Sequence, residues 1–270
     1  MTDLRADEIE AEAQRLLDGM GKPTRRVRPR LARGLRDGED LEVETPFGGV
    51  MAWRLGPGPA TLMVHGWEDD NALWSPLIDV CAEMLRASVA FDLPGHGWSP
   101  AEECSMEAAG RAVLAVAEAL GPIDSIVGHS FGCGATIWAL AHGLSVPRAV
   151  LIASPVPRSS ARGWDMEEWK KHQVGRGEDP AVVDRAMALM AERPARNDRD
   201  YAVEDVLPGL GATRALIVHS IDDDSCPVAN SQRMAELWPG SELVLLDGLG
   251  HRLIAQDDDV VARIVDFIES

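Results

Sequence analysis

Ile123-Asp124-Ser125-Ile126-Val127-Gly128-His129-Ser130-Phe131-Gly132 is the stretch whose reading decides the fold. A strand-like run from Ile123 to Val127 leads into Gly-x-Ser-x-Gly, and a helix-like segment, Cys133 to Leu144, follows. Strand, sharp turn and helix is the context in which this short pattern carries chemistry. The turn forces Ser130 into a strained backbone conformation and lifts its Oγ clear of the chain. Gly128 and Gly132 leave room for neighbouring backbone to pass closely. Outside that context the same five residues are only a glycine-rich turn that contains a serine. What matters next is whether the chain also supplies a base, an acid and a pair of N–H donors.

Outward from this segment, strands and helices alternate. Thr61 to Val64, Val89 to Phe91, Ala149 to Ala153, Ala215 to His219 and Leu243 to Leu246 read as short buried strands. Leu73 to Leu85, Met106 to Leu120, Val228 to Leu237 and Val260 to Ile268 read as helices, the second of them stopped by Gly121-Pro122. Leu41 to Thr45 and Val50 to Leu55 alternate like an antiparallel hairpin across a Phe-Gly-Gly turn. The pattern implies an α/β fold with a mostly parallel sheet covered on both faces. Residues 155–208 hold no convincing strand and read as a helical lid inserted between two sheet strands. Trp164, Trp169 and Met187 in that insertion are candidates for an apolar pocket wall, beside the alternative that they form its minor core. The chain thus divides into an N-terminal helix and basic arm (1–40), an α/β core (41–154 and 209–270) and the insertion (155–208).

Residues 3–20 read as an amphipathic helix with acids in its first turns, as the helix dipole favours. An acid-free segment follows, holding Lys22, Arg25, Arg26, Arg28, Arg30, Arg33 and Arg36. In a chain of net charge -18 it is read as an arm folded against an acidic body. The same charge disfavours nucleic acid as a partner, because phosphate binding needs a positive field. With 270 residues, 46% of them hydrophobic, the chain can bury a substantial core. Its four cysteines are not at metal-ligand spacing, and no cluster implies a metal or other cofactor. Cys81 and Cys133 sit inside apolar helical patterns, which fits a reducing cytoplasm. Residues 1–20 are charged throughout, unlike a secretory leader, and no apolar run reaches the roughly 18 residues of a membrane span.

A serine hydroxyl is a weak nucleophile near neutral pH and needs an oriented base beside it. In open parallel sheets such partners lie just beyond the carboxyl ends of the strands. Of the seven histidines, His251 stands directly after the final strand, in Asp247-Gly248-Leu249-Gly250-His251, and is the candidate base. His129 neighbours the serine on a turn where adjacent side chains diverge. His65 and His96 sit in glycine-containing loops, His142 in a helix and His172 in the insertion, while His219 ends a strand. These six are read as structural or supporting. The acid belongs after the strand Ala215 to His219, where Asp222-Asp223-Asp224 stands. Spacing to Ser220 and Pro227 favours Asp223, with Asp222 as runner-up. Its role is to accept the imidazole N–H and fix the tautomer. Donors for a developing oxyanion are the backbone N–H groups of Phe131, after the serine, and Trp67, in the His65-Gly66-Trp67 loop.

His65-Gly66-Trp67, Asp92-Leu93-Pro94-Gly95-His96-Gly97-Trp98-Ser99, Gly128 to Gly132 and Gly250-His251 stand in the order in which the α/β-hydrolase superfamily carries its loop and nucleophile-elbow motifs. The chain resembles that superfamily over roughly residues 41–268. The resemblance implies a largely parallel eight-stranded sheet, a lid after the sixth strand and a triad in the order Ser130, Asp223, His251. It departs where Ser220 replaces a usual glycine and Cys226 precedes Pro227 in place of a valine or isoleucine. Related enzymes that open epoxides or remove halides have aspartate at position 130, so a serine there implies acyl-enzyme chemistry on a small-molecule ester. The same triad also serves carbon–carbon hydrolysis, thioester hydrolysis and acyl transfer, and the scaffold also hosts ligand receptors.

Overall fold

In the computed structural model, the residues described are 5–19, 21–25, 35, 37–155, 166–192 and 203–270. Eight strands form one sheet: β1 Glu39–Val43, β2 Val50–Leu55, β3 Ala60–Val64, β4 Ala87–Phe91, β5 Ile123–His129, β6 Arg148–Ile152, β7 Arg214–Ser220 and β8 Glu242–Leu246. Their order across the sheet is β1-β2-β4-β3-β5-β6-β7-β8. β1 pairs antiparallel with β2, and β2 with β4; every other pairing is parallel. β3 and β4 are buried at every position, as interior parallel strands must be.

The helices are α1 Ala6–Gly19, α2 Ser75–Glu83, α3 Met106–Leu120, α4 Phe131–Ala141, α5 Met166–Gly175, α6 Pro180–Glu192, α7 Val203–Val206, α8 Val228–Leu237, α9 Gly250–Leu253 and α10 Asp258–Glu269. Two apolar cores lie on the two faces of the sheet. One joins α3 and α4 to the strands through Ala112, Val116, Ile137 and Leu151. The other joins α2 and α10 through Leu77, Ile78, Ile264 and Val150. Ser105 caps α3 by accepting from Ala108 N–H, and Asp257 caps α10 by accepting from Asp259 and Val260. The capping acid and the apolar stripe of Val260, Val261, Ile264, Val265 and Ile268 place α10 where its sequence pattern predicts.

The segment between β6 and β7 holds α5, α6 and α7 and, among its described residues, no strand. The N-terminal helix does not stand apart from it. Ala13 and Leu17 of α1 are buried against Val182, Val183 and Ala186 of α6. Glu10 accepts from Arg185 at the rim of this contact. Met187, expected at a pocket wall, packs into this same small core, because the stripe of α6 that it shares faces α1. Trp164 lies outside the described residues, as does the side chain of Trp169 on α5.

The first residues of the basic segment fold onto the body. Cys104 N–H donates to the Gly21 carbonyl, Thr24 N–H donates to Glu68 Oε1 (3.1 Å), and Arg25 donates to the Ala101 carbonyl. Lys22 pairs with Glu103 across 3.5 Å. Leu35 is buried in the core on the α2 and α10 face. Residues 26–34 and Arg36 lie outside the described residues.

Candidate active site

The turn between β5 and α4 holds Ser130 at φ 51° and ψ -121°, a region costly for any residue with a Cβ. Two bonds and close packing impose it. Ser130 N–H donates to the Ile152 carbonyl at the end of β6, and Cys133 N–H donates to the Ser130 carbonyl, both at 2.9 Å. A Cβ on Gly132 would collide with the carbonyls of Val64 and His65, so only glycine lets α4 begin against the end of β3.

Three strand ends converge on this serine. His251 Nε2 lies 2.9 Å from Ser130 Oγ, and His251 Nδ1 lies 2.8 Å from Asp223 Oδ2. His251 comes from α9 after β8, and Asp223 from the loop after β7. The imidazole is 17% exposed, whereas the Asp223 side chain is fully buried. Of the three adjacent aspartates, Asp223 therefore faces the histidine. Asp222 does other work: its Oδ1 accepts from Gly248 N–H, Gly250 N–H and the Ser220 hydroxyl, stapling the His251 loop to the end of β7. The serine that replaces a usual glycine at position 220 is thus part of that staple, and it also accepts from Leu249 N–H. Asp224 accepts from the Ser225 hydroxyl.

Burial alone would raise the Asp223 pKa. Hydrogen bonds from His219, His251 and the Cys226 amide outweigh it and hold the carboxyl well below its ordinary range. Asp223 is therefore ionised at neutral pH and can stabilise an imidazolium at His251.

Gly66 brings the third loop against the serine: a Cβ there would lie 3.1 Å from Ser130 Cβ. The rings of Trp67 and Phe131 meet edge-on with centroids 5.3 Å apart. Phe131 opens α4, so its N–H is one of the four that a helix start leaves without an intrahelical partner. Neither the Trp67 nor the Phe131 N–H has a hydrogen-bond partner among the described residues. Among the described residues no group of three or more His, Cys, Asp or Glu is placed to hold a metal ion.

The histidines read as supporting have distinct tasks. His65 Nε2 accepts from Leu93 N–H, tying the loop after β3 to the loop after β4. His96 Nδ1 lies 2.8 Å from the Pro94 carbonyl in the loop after β4, and His142 stacks on Trp138 at the end of α4. His129 donates from Nε2 to the His251 carbonyl (2.8 Å), linking the elbow to the loop of the base. Arg252 adds a second tie, donating to Asp69 beyond Trp67 at 2.7 Å.

Burial, followed by the nearby His251, pushes the His129 pKa down to about 4 from 6.5. Below pH 6.5 the unfolded chain takes up a proton that the native state refuses until about pH 4. More protons are then bound in the unfolded state, so stability falls as pH drops through this window. His96, pushed down to about 3 chiefly by burial, acts with the same sign. Urea unfolding between pH 6.5 and 4.5 is expected to show His129→Gln with a shallower pH slope than the parent, by about 1.4 kcal/mol per pH unit. An unchanged slope would mean that His129 charges freely in the folded protein.

A sequence model of the alpha/beta hydrolase family matches residues 61–264. The chain belongs to that family. Family members similar to it include the pimeloyl-[acyl-carrier protein] methyl ester esterase of Xanthomonas campestris, 27% identical over 245 residues, 77% of this chain and 94% of that protein. The pimeloyl-[acyl-carrier protein] methyl ester esterase of Nitrosomonas europaea is 22% identical over 238 residues, 73% of this chain and 90% of its own length. Among solved structures, an esterase from Pyrococcus furiosus has a TM-score of 0.71 at 16% identity, covering 93% of this chain and 97% of its own. An esterase from Exiguobacterium antarcticum has a TM-score of 0.66 at 19% identity, covering 86% and 100%. The expected α/β-hydrolase fold, with its eight-stranded, mostly parallel sheet, is the fold observed.

Proposed function

We propose that this alpha/beta hydrolase is a serine esterase that cleaves a carboxylic ester through an acyl-enzyme. The observation that carries the reading is the continuous contact Ser130 Oγ–His251 Nε2–His251 Nδ1–Asp223 Oδ2, at 2.9 and 2.8 Å, beside two amides that have no hydrogen-bond partner among the described residues. Ser130 Oγ attacks the ester carbonyl carbon as its proton passes to His251 Nε2. Asp223 stays ionised, holds the Nδ1–H and stabilises the imidazolium. The carbonyl oxygen, now negative, accepts from the Trp67 and Phe131 N–H groups. Collapse breaks the bond to the alcohol oxygen, which leaves with the proton from His251. Water then attacks the acyl-serine with His251 as base, and the carboxylic acid departs.

The insertion between β6 and β7 leaves the sheet at Ile152, whose carbonyl accepts from Ser130 N–H. It starts beside the nucleophile, and in this reading it shapes the acyl pocket for an apolar substrate of small to medium size. The similarity to methyl ester esterases supports a small alcohol as leaving group. No helix among the described residues is long and apolar enough to cross a membrane.

The test has two arms. A fluorophosphonate probe is expected to add once, on the peptide containing Ser130. Methyl, ethyl and butyl esters of straight-chain acids, together with a thioester and a vinylogous diketone, are then compared by kcat/KM. Esters turn over fastest, with the methyl series leading. Preferential cleavage of the diketone or thioester would reassign the reaction, and tight ester binding without turnover would make the protein a receptor.

A further inference from the structure

Asp223 is held by more than the residues the mechanism uses. Its Oδ1 accepts from the Ser225 and Cys226 amides, each at 2.8 Å. Its Oδ2, the atom that takes the His251 proton donor, also lies 3.2 Å from His219 Nε2. His219 is fully buried near the end of β7, one residue before Ser220. The same Nε2 is 2.9 Å from the Cys226 carbonyl. Both neighbours are acceptors, so Nε2 carries a hydrogen: its hydrogen bond goes to the Cys226 carbonyl, and Asp223 Oδ2 is within its reach. On the ring's other side, Nδ1 lies 2.6 Å from Ser231 Oγ on α8, which sets the ring's rotation.

We infer that His219 is a positioning residue for the proposed reaction: a second imidazole that donates to the same Asp223 oxygen as His251 and fixes where that carboxylate sits. The inference rests on the serine-esterase reading of the site. A buried carboxylate must have its lone pairs filled, and an oxygen left short of donors moves or takes a proton. Ser225 and Cys226 fill Oδ1 and fix one end of the group. His251 alone cannot fix the other firmly, because its ring is partly exposed and its other nitrogen faces the reacting serine. His219 can, since both of its nitrogens have partners within the fold. By donating to Asp223 and to the Cys226 carbonyl with one hydrogen, it also closes the acid loop on itself. The line of contacts then runs from Ser231 on α8 through His219, Asp223 and His251 to Ser130.

Sharing the carboxylate has a second consequence. Among the described residues, the titratable side chains that hydrogen-bond to Asp223 are His219 and His251. A donor from His219 draws negative charge away from Oδ2 and weakens its hold on the His251 proton. Removing that donor should therefore make the imidazolium harder to discharge. The acid limb of the kcat/KM profile then moves to higher pH.

The experiment compares His219→Gln, His219→Asn and His219→Leu in the full chain, with Ser130→Ala alongside. Glutamine places an amide N–H where Nε2 stands. Asparagine reaches only as far as Nδ1, so it keeps polarity and loses the donor to Asp223. Leucine loses both. His219→Gln is expected within about 3-fold of the parent. His219→Asn and His219→Leu should lose about 10- to 100-fold in kcat, the range of a lost hydrogen bond to a buried charge, with KM little changed and the acid limb shifted upward. If the leucine protein does not fold, the glutamine and asparagine pair decides alone. A histidine that merely fills space predicts equal losses in both, or none, and either result overturns the inference. A leucine variant with the parent's kcat and pH profile overturns it too, provided Ser130→Ala is inactive. An active Ser130→Ala would instead overturn the esterase reading beneath it.

Discussion

Ser130→Ala is expected to lower kcat for a p-nitrophenyl ester by about 10⁶, leaving the thermal midpoint close to that of the parent. The size follows from the cooperative nature of the group: once the nucleophile is gone, His251 and Asp223 have nothing to activate. What survives is turnover by a water held near the two amides, some 10³ to 10⁴ above the uncatalysed rate. Stability should hardly move. Alanine keeps the Cβ, so the strain at φ 51° and ψ -121° is the same in both proteins. The hydroxyl's partner, His251 Nε2, belongs to a ring partly open to water, which can replace the lost contact. Ser130→Gly sharpens the test. It releases roughly 1–3 kcal/mol of backbone strain and adds about 1 kcal/mol of unfolded-state entropy. It should be as dead as alanine and at least as stable as the parent. Measured by calorimetry and single-turnover kinetics, the pair separates loss of chemistry from loss of fold. Retention of about a tenth of kcat by Ser130→Ala would assign the nucleophile elsewhere.

The candidate site was legible because a parallel sheet delivers the residues that follow its strands to one edge. Ser130, Asp223 and His251 each follow a strand, so strand ends read from apolar runs are enough to bring them together. Spacing to Ser220 and Pro227 also favours Asp223 over its neighbours; in the structure Asp222 accepts from the amides of the loop opposite. Legibility ends where a side chain's direction or partner is set by packing. His219 lies one residue before the turn, and nothing local says that its ring turns under the loop to meet Asp223 rather than into a core. The apolar stripe of α1 demands a partner without saying which. α6 answers it, and Met187 packs along that contact. The basic segment is legible in its sign alone. That Thr24 and Arg25 reach Glu68 and Ala101 depends on where the loops after β3 and β4 come to lie.

Asp223→Asn is expected to lower kcat by about 10⁴, and Asp222→Asn by no more than a few-fold, although the two residues are adjacent. The large effect comes from which atom of the new amide faces the base. Oδ1 of residue 223 accepts from the Ser225 and Cys226 N–H groups, so the amide oxygen must stay there. The NH₂ then falls in the place of Oδ2, against His251 Nδ1. A donor in that place forces Nδ1 to be an acceptor and puts the ring hydrogen on Nε2. The imidazole now offers Ser130 a hydrogen when it should take one, and general-base catalysis stops with the geometry intact. The same NH₂ also confronts His219 Nε2–H, but the flipped amide orientation is worse, because it would set the NH₂ against two backbone donors. Asp222→Asn has no such conflict, because its Oδ1 accepts from Gly248, Gly250 and Ser220 and an amide oxygen does the same. The measurement is kcat against pH for both variants. Only Asp223→Asn should recover as hydroxide begins to remove the serine proton directly, with activity rising above pH 9 where the parent's is level. Equal losses in the two variants would mean that the acid loop acts through its backbone, and that Asp223 does not orient the base.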